Sequence, residues 1–300
     1  MKLFVTGSSG HLAYPLLEQL CQHDEIEEVM GIDIHPPTFS HPKFHAEIGD
    51  IRTAPLEDLM HGYDGLVHLA FVVLRGKMRP ETMAEINLKG SQRVFQSAQI
   101  AGIRRKVHLS SAAVYGSGEN LVETSPLNPL PDFFYGQHKA ILDNWLAQNF
   151  PETVRLRPHI ILGPHCQSLL KLLLKQPFYP SLPDPQPLLQ CVHEEDVAKA
   201  VRLALFSEAT GAFNLAATDS YSFKEVIKLS HRLAIGLPIS AVRWTMHTIW
   251  KLTGAGGEPA WVDGMERTLT LDCSKARDLL AWEPRFTSRA AIQTTMEKIL

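Results

Sequence analysis

Cysteine and uncompensated charge are both scarce in this chain, and each scarcity closes a class of explanation. Four cysteines stand in 300 residues. Cys21, Cys166, Cys191 and Cys273 are far apart and form no CxxC pair. That spacing supports neither a disulfide framework nor a zinc site, and it fits a reducing compartment. The formal net charge is −3, so the chain lacks the basic surface that nucleic acid requires. Long apolar runs are missing too. LLKLLLK (169–175) and TMHTIWKL (245–252) are broken by charged or polar residues, and fall short of the roughly 20 apolar residues that cross a bilayer. The opening MKLFVTG reaches glycine too soon for a secretion signal. The expectation is a cytoplasmic protein acting on a small molecule, without nucleic-acid or membrane partners. With 45% hydrophobic residues, the chain can bury one large core or two intimate ones.

What is present is alternation. KLFVT (2–6), EVMGIDI (28–34), GLVHLAFVV (65–73), KVHLSSAAVYG (106–116) and TVRLRPHIILG (153–163) read as strands. LAYPLLEQLCQ, 81–101 and 133–150 read as helices between them. The unbroken apolar run at 65–73 is the mark of a strand buried on both faces. This alternation predicts an α/β fold, a parallel sheet with helices on both faces. Pro15 falls early in the first helix, where a missing N–H costs little. After Pro164 the pattern changes. QPFYPSLPDPQP (176–187) is too proline-rich for regular structure. VHEEDVAKAVRLALF (192–206) returns to helical spacing, GAFNLA (211–216) reads as a last strand, and 222–300 as mostly helical. The expected division is a domain of residues 1–163, to which 188–217 returns, and a smaller discontinuous lobe in 164–300.

TGSSGHLA (6–13) joins the first strand to the first helix. Gly7 and Gly10 allow a tight turn and close approach to a phosphate, and the helix start offers unpaired N–H groups. Gly7, Ser8, Ser9, Gly10, His11 and Leu12 are therefore the candidate pyrophosphate contacts, with Ala13 permitting close helix–strand packing. Asp33 ends the second strand roughly 20 residues past the turn, where a dinucleotide fingerprint places its acidic residue. Its carboxylate can accept from ribose hydroxyls and would repel a 2′-phosphate. No lysine or arginine follows before Lys43, so NAD is the expected cofactor. Asp50 and Ile51, in IGDIR, are placed for the adenine end, although Asp50 also reads as a surface turn.

FFYGQHKAILDNWLAQNF (133–150) carries Tyr135 one helical turn before Lys139. A tyrosine titrates near pH 10 and is a poor base at neutrality. A lysine on the same face favours its phenolate, which can take a hydroxyl proton while a hydride leaves for NAD. The strand ending LSSAAVYG (109–116) supplies Ser111 to polarise the substrate oxygen, with Ser110 as a structural neighbour. His68 and His108 lie on core strands and read as satisfied structural residues. His138 reads as surface or an intersubunit contact, and His159 as bordering the nicotinamide. His35, His41 and His45 fit no metal-ligand motif and read as a solvated loop, so no metal is expected.

Together these segments resemble the extended short-chain dehydrogenase/reductases, the NAD-dependent epimerase/dehydratase group. TGSSGHLA, Asp33, GDI at 49–51, VHLA at 67–70, Asn87 in INLKG, SSAAVYG, YGQHK, LRPHIILGP, VHEEDVAKA and LDCSKARDLLAWEP carry the likeness, in order along nearly the whole chain. The resemblance implies a Rossmann doubly wound sheet, a smaller and mostly helical C-terminal substrate lobe, and Ser111, Tyr135 and Lys139 as the catalytic trio. Asn87 would support the lysine, Leu69 and Ala70 would line the pyrophosphate and ribose, and Pro158 to Ile161, with Ile160 between, would approach the nicotinamide. A homodimer through the 81–101 and 133–150 regions is also implied.

The chain departs from family patterns in places that bear on the reaction. Ala112 and Ala113 follow the serine where 4,6-dehydratases carry an acidic pair, which argues against elimination. Nucleotide-sugar enzymes usually read R-P-x-N-x-Y-G-P where this chain has Arg157 to Pro164, with Ile160 for the asparagine, Leu162 for the tyrosine and His165 after the proline. The arginine usually ahead of the VxxxD segment is replaced by Leu188-Leu189-Gln190. Lys171 and Lys175 are the cations of the following stretch, while Phe178, Tyr179 and Leu182 suggest an apolar pocket. Alternatively those residues are lobe core and Arg232, Arg243 or Arg267 meets a phosphate. The run 239–252 reads as a helix packed within the lobe, or one that docks on a membrane or clasps a hydrophobic substrate. Three functions follow: a sugar-nucleotide epimerase, a dehydrogenase of a hydrophobic hydroxy or carbonyl compound, and a non-catalytic NAD sensor.

Overall fold

A computed structural model describes residues 1–175, 178–229, 235–254 and 260–297. Its main sheet has seven strands: β1 (Lys2–Thr6), β2 (Glu28–Asp33), β3 (Phe44–Ile48), β4 (Gly65–His68), β5 (Arg105–Leu109), β6 (Val154–Pro158) and β7 (Gly211–Leu215). All neighbours pair in parallel, in the order β7-β6-β5-β4-β1-β2-β3. This is the expected Rossmann arrangement. The order reverses at β1, which opens a crevice between the ends of β1 and β4.

Each face of the sheet has its own core. Leu16, Leu17 and Leu20 of the Ala13–Cys21 helix meet Val197 and Val201 of the Glu194–Leu205 helix on one face. Val94, Phe95, Leu142 and Leu146 cover the other, from the Ser91–Ile100 and Phe134–Asn149 helices. Fully burying such side chains stabilises the fold by about 1.5–3 kcal/mol each. The C-terminal WEP segment is fastened to the same body. Trp282 is buried and its Nε1 donates to the Asp196 carbonyl at 2.8 Å. The Asp196 carboxylate accepts from the amides of Arg285 and Phe286.

Several elements differ from the sequence reading. The apolar run at 65–73 stays in the sheet only to His68, because β1 ends at Thr6 and offers no partner beyond it. The strand expected over 153–163 breaks at His159: β6 ends at Pro158, and Ile160–Leu162 pairs instead with Cys191–His193. Within 176–187, Phe178–Ser181 forms a strand against Ile235–Pro238, a two-stranded pair in which prolines are tolerated. β3 was not among the strands expected: its FHAEI alternates apolar and polar residues, only Phe44 is buried, and His45, read as part of a solvated loop, lies in it. The Ile239–Thr253 helix buries none of its residues fully, and Trp244 and Leu252 are each 70% exposed. It packs on the Phe178–Ser181 and Ile235–Pro238 strands, as a lobe helix was expected to, but leaves its other side open.

Candidate active site

The glycine turn is shaped around the crevice. Gly7 has φ +75°, and a Cβ there would lie 2.5 Å from the Ala70 nitrogen. The left-handed angle and the close approach both call for glycine. Gly7 donates to Ile32 O at 2.8 Å and Gly10 to Gly7 O at 3.1 Å, closing the turn before Leu12 starts the helix. Gly31 leaves the room that the Ser8 side chain fills, since a Cβ at Gly31 would lie 2.6 Å from Ser8 Oγ. That buried hydroxyl has no hydrogen-bond partner among the described residues. Asp33 is held by the Ser9 and His35 amides at 3.1 and 3.0 Å, one to each oxygen, so each keeps a lone pair for a ribose hydroxyl. His11 is exposed at the edge of the turn. Leu69 and Ala70 lie partly exposed against it. These features fit a dinucleotide: a cradle a Cβ would fill, an unpartnered hydroxyl and an oriented carboxylate.

Asp50 and Ile51 fit the adenine end less well. The Asp50 carboxylate is bonded to the amide, Nε and Nη2 of Arg52, and that guanidinium holds it below the usual carboxylate range. The Ile51 side chain is buried in the core against Gly90, which leaves only its backbone near the surface.

The trio comes from two segments that meet beside β4. Ser111 caps the short Ala112–Val114 turn, its Oγ accepting from the Ala113 amide at 3.1 Å. That leaves the hydroxyl proton free to donate outward. Burial pushes the Tyr135 phenol up, and the neighbouring Ser111 side chain draws it part of the way back. Lys139 is buried, with Nζ bonded to Leu109 O and 3.6 Å from the centre of the Phe71 ring. Burial lowers its ammonium to about 7, against an opposing pull from Asp143. The helix carrying Tyr135 and Lys139 is pinned to the strands by Asp143. Its carboxylate accepts from Ser110 Oγ at 2.7 Å, Arg155 Nε at 3.1 Å and Arg157 Nη2 at 2.7 Å. Ser110 is thus structural, as expected.

Asn87 sits in a π-helical stretch, Glu85–Gly90, a distortion often found at functional sites. It exchanges both amide groups with Val72, at 2.7 and 2.9 Å, and so fixes the loop that carries Phe71. His138 is buried beside it, with Nδ1 3.4 Å from Asn87 Nδ2; it is not the surface residue expected. His68 is satisfied by Thr6 and Ser91. His108 is not: both ring nitrogens are buried without partners among the described residues. Pro158 is buried, and Ile160 and Ile161 are partly exposed beyond the end of β6. His159 is committed elsewhere. Its Nε2 meets Leu269 O at 2.9 Å, its Nδ1 accepts from the Ile160 amide, and burial lowers it to about 4.

A family model described as the NAD dependent epimerase/dehydratase family matches residues 3–216. The chain belongs to this family. Among its relatives, the UDP-glucose 4-epimerase of Corynebacterium glutamicum is 25% identical, over 97% of this chain and 93% of that protein. The mouse (Mus musculus) sterol-4-alpha-carboxylate 3-dehydrogenase, decarboxylating, is 30% identical over 58% of this chain and 49% of its own length. The structure of UDP-glucuronic acid 4-epimerase from Bacillus cereus in complex with NAD superposes with a TM-score of 0.78 at 20% identity, covering 100% of this chain and 98% of that one. The last likeness shows the fold alone.

Leu162 is buried. His165 is held by Glu194 through Nδ1 at 2.7 Å and stacks on Tyr14 at 4.6 Å. Lys171 Nζ donates to Pro164 O at 2.6 Å. Leu182 is core rather than pocket wall. Arg243 is bonded to Asp263 and Glu266. Arg232 and the side chains of Lys175 and Phe178 lie outside the described residues. Sequence reasoning missed the residues that do surround the phenol: Phe71, Phe133 and Trp261. The only signal for Phe71 was an apolar run outlasting its strand, and for Trp261 there was none.

Proposed function

We propose that the protein is an NAD-dependent oxidoreductase that interconverts a secondary alcohol and its ketone, with Tyr135 as the proton-transferring residue. The observation that carries the reading is the Tyr135 phenol with Lys139 Nζ 5.9 Å from the centre of its ring, on a helix that Asp143 ties through Ser110 to the strand end leading to Ser111. Gly7 to Leu12 would hold the pyrophosphate, Asp33 the adenosine ribose, and Leu69, Ala70, Pro158, Ile160 and Ile161 the stretch toward the nicotinamide. Bound NAD would supply the hydride acceptor. Ser111 Oγ donates to the substrate oxygen and orients it. Tyr135 Oη takes the hydroxyl proton in oxidation and returns it in reduction. The Lys139 ammonium lowers the cost of the phenolate in a site where burial opposes it.

Ala112 and Ala113 supply no carboxylate for elimination, which speaks against dehydration. Retention of the whole trio speaks against a pure sensor. A sugar-nucleotide epimerase is the second reading, supported by a UDP-glucose 4-epimerase relative that matches along 97% of the chain. The test is Tyr135→Phe. NAD should stabilise the variant as it does the parent, while turnover falls by roughly 10²–10⁴-fold. Full turnover by the variant removes the mechanism.

A further inference from the structure

The proton-transferring residue stands inside an aromatic enclosure. Phe71 lies edge-on to Tyr135 at 5.8 Å and Phe133 is tilted at 5.7 Å. Trp261 is nearly parallel to it, at 21° and 6.4 Å, and meets Phe133 edge-on at 5.0 Å. Trp261 belongs to the Ala260–Met265 helix, so the C-terminal part of the chain supplies this wall. Leu130 packs in the same cluster. It also lines a hollow of about 490 Å³ in which three carboxylates, Asp132, Asp263 and Glu266, face two guanidiniums, Arg243 and Arg267.

The charge balance there is negative, and the Arg243 guanidinium is already shared by Asp263 and Glu266. A diphosphate lying against this hollow would meet a net negative charge, with the Arg243 guanidinium already paired among the described residues. Ile160 and Leu162 add no polar side-chain atom. A neutral hydrocarbon loses nothing to that field and gains contact with the aromatic wall beside Tyr135.

Building on the oxidoreductase reading, we infer that the substrate is a neutral, apolar secondary alcohol or its ketone, its ring or hydrocarbon body lying against Trp261 and Phe133, with Trp261 as a specificity-determining residue. The step balances. The carbinol C–H breaks and its hydrogen passes with two electrons to the nicotinamide of NAD+. The O–H breaks with its proton going to Tyr135 Oη, and the C=O bond forms. Apolar walls of this kind discriminate by size and shape, at roughly 10–200-fold per methylene-sized change.

The experiment uses the full chain with NAD or NADH. Initial rates and thermal shifts are measured with indanol, indanone, acetophenone and its alcohol, beside UDP and UDP-glucose. Neutral compounds should stabilise the NAD complex, and at least one should turn over. Trp261→Ala should raise KM for that compound by about tenfold, with kcat changed by no more than about twofold. Trp261→Phe should keep most of the affinity, which separates loss of the wall from loss of folding. UDP and UDP-glucose should do nothing. Stabilisation by UDP, or Tyr135-dependent turnover of UDP-glucose, overturns the inference and leaves the oxidoreductase reading standing. Failure of every neutral compound to stabilise the NAD complex also overturns it. Loss of NAD binding and of all Tyr135-dependent turnover would instead sink the reading beneath it.

Discussion

Replacing Asp143 by alanine should be among the costliest single changes in this protein. Its carboxylate is 1% exposed and lies between two guanidiniums that are themselves buried, Arg155 at 8% and Arg157 at 4%. Burial raises its pKa, but bonds from Arg157 and Ser110 and the charge of Arg155 hold it below the ordinary value. Taking away the anion strands two buried cations and leaves Ser110 without its acceptor. Breaking a buried pair in this way costs about 3–5 kcal/mol. At about 2–4 °C per kcal/mol for a protein of a few hundred residues, the melting temperature should fall by roughly 10 °C. The assay is a thermal melt of NAD-free protein at fixed concentration, repeated across pH. A depressed carboxyl contributes stability that is present above its unfolded pKa and lost as pH falls through the folded one. The gap between parent and variant should therefore close in acid. Turnover should fall as well, because Asp143 ties the helix of Tyr135 and Lys139 to the strand that leads to Ser111. Changing Asp143, Arg155 and Arg157 together to methionine removes every stranded charge and should recover most of the loss. Recovery stops short of complete because Tyr115 Oη and Glu123 O also lose their donor, Arg157 Nη1. A melting temperature within about 1 °C of the parent for Asp143→Ala refutes the reasoning.

Two other changes should stabilise. Lys139→Met removes a buried ammonium whose pKa burial lowers from 10.5 to about 7. The penalty is complete below about 7, shrinks as pH rises, and vanishes above the unfolded value of 10.5. The variant should therefore be inactive yet melt higher than the parent, most clearly at pH 6; the opposite pH trend would show that the charge is not what costs. His108→Leu removes two unpaired buried nitrogens, each worth about 1–3 kcal/mol if left unsatisfied. Its melting temperature should rise by several degrees with turnover unchanged, and a fall would mean that the ring has a partner in solution.

The pairing of Tyr135 with Lys139, the glycine turn and six of the seven sheet strands were legible because local chemistry fixes them. Gly7 must be glycine for its own φ, and Tyr135 and Lys139 are neighbours by helix geometry alone. What was not legible depends on where the chain returns. Nothing near Trp261 announces that it faces Tyr135. Ser110 and Asp143 are each ordinary until the sheet brings them within 2.7 Å. His159 read as bordering the nicotinamide because a sequence cannot show that Leu269 O sits over its Nε2. The end of β4 at His68 was hidden for a related reason: apolarity persists through Phe71, but there it builds a wall of the site instead of a strand.

The order in which the enclosure is made follows from its chain positions. Phe71, Ser111, Tyr135 and Lys139 all leave the ribosome before β7 completes the sheet, and Trp261 emerges more than a hundred residues after Tyr135. At about 5–20 residues per second, that is roughly ten seconds of synthesis. In a chain that folds as it emerges, the groups proposed to move the proton are set before the surface proposed to select what reaches them.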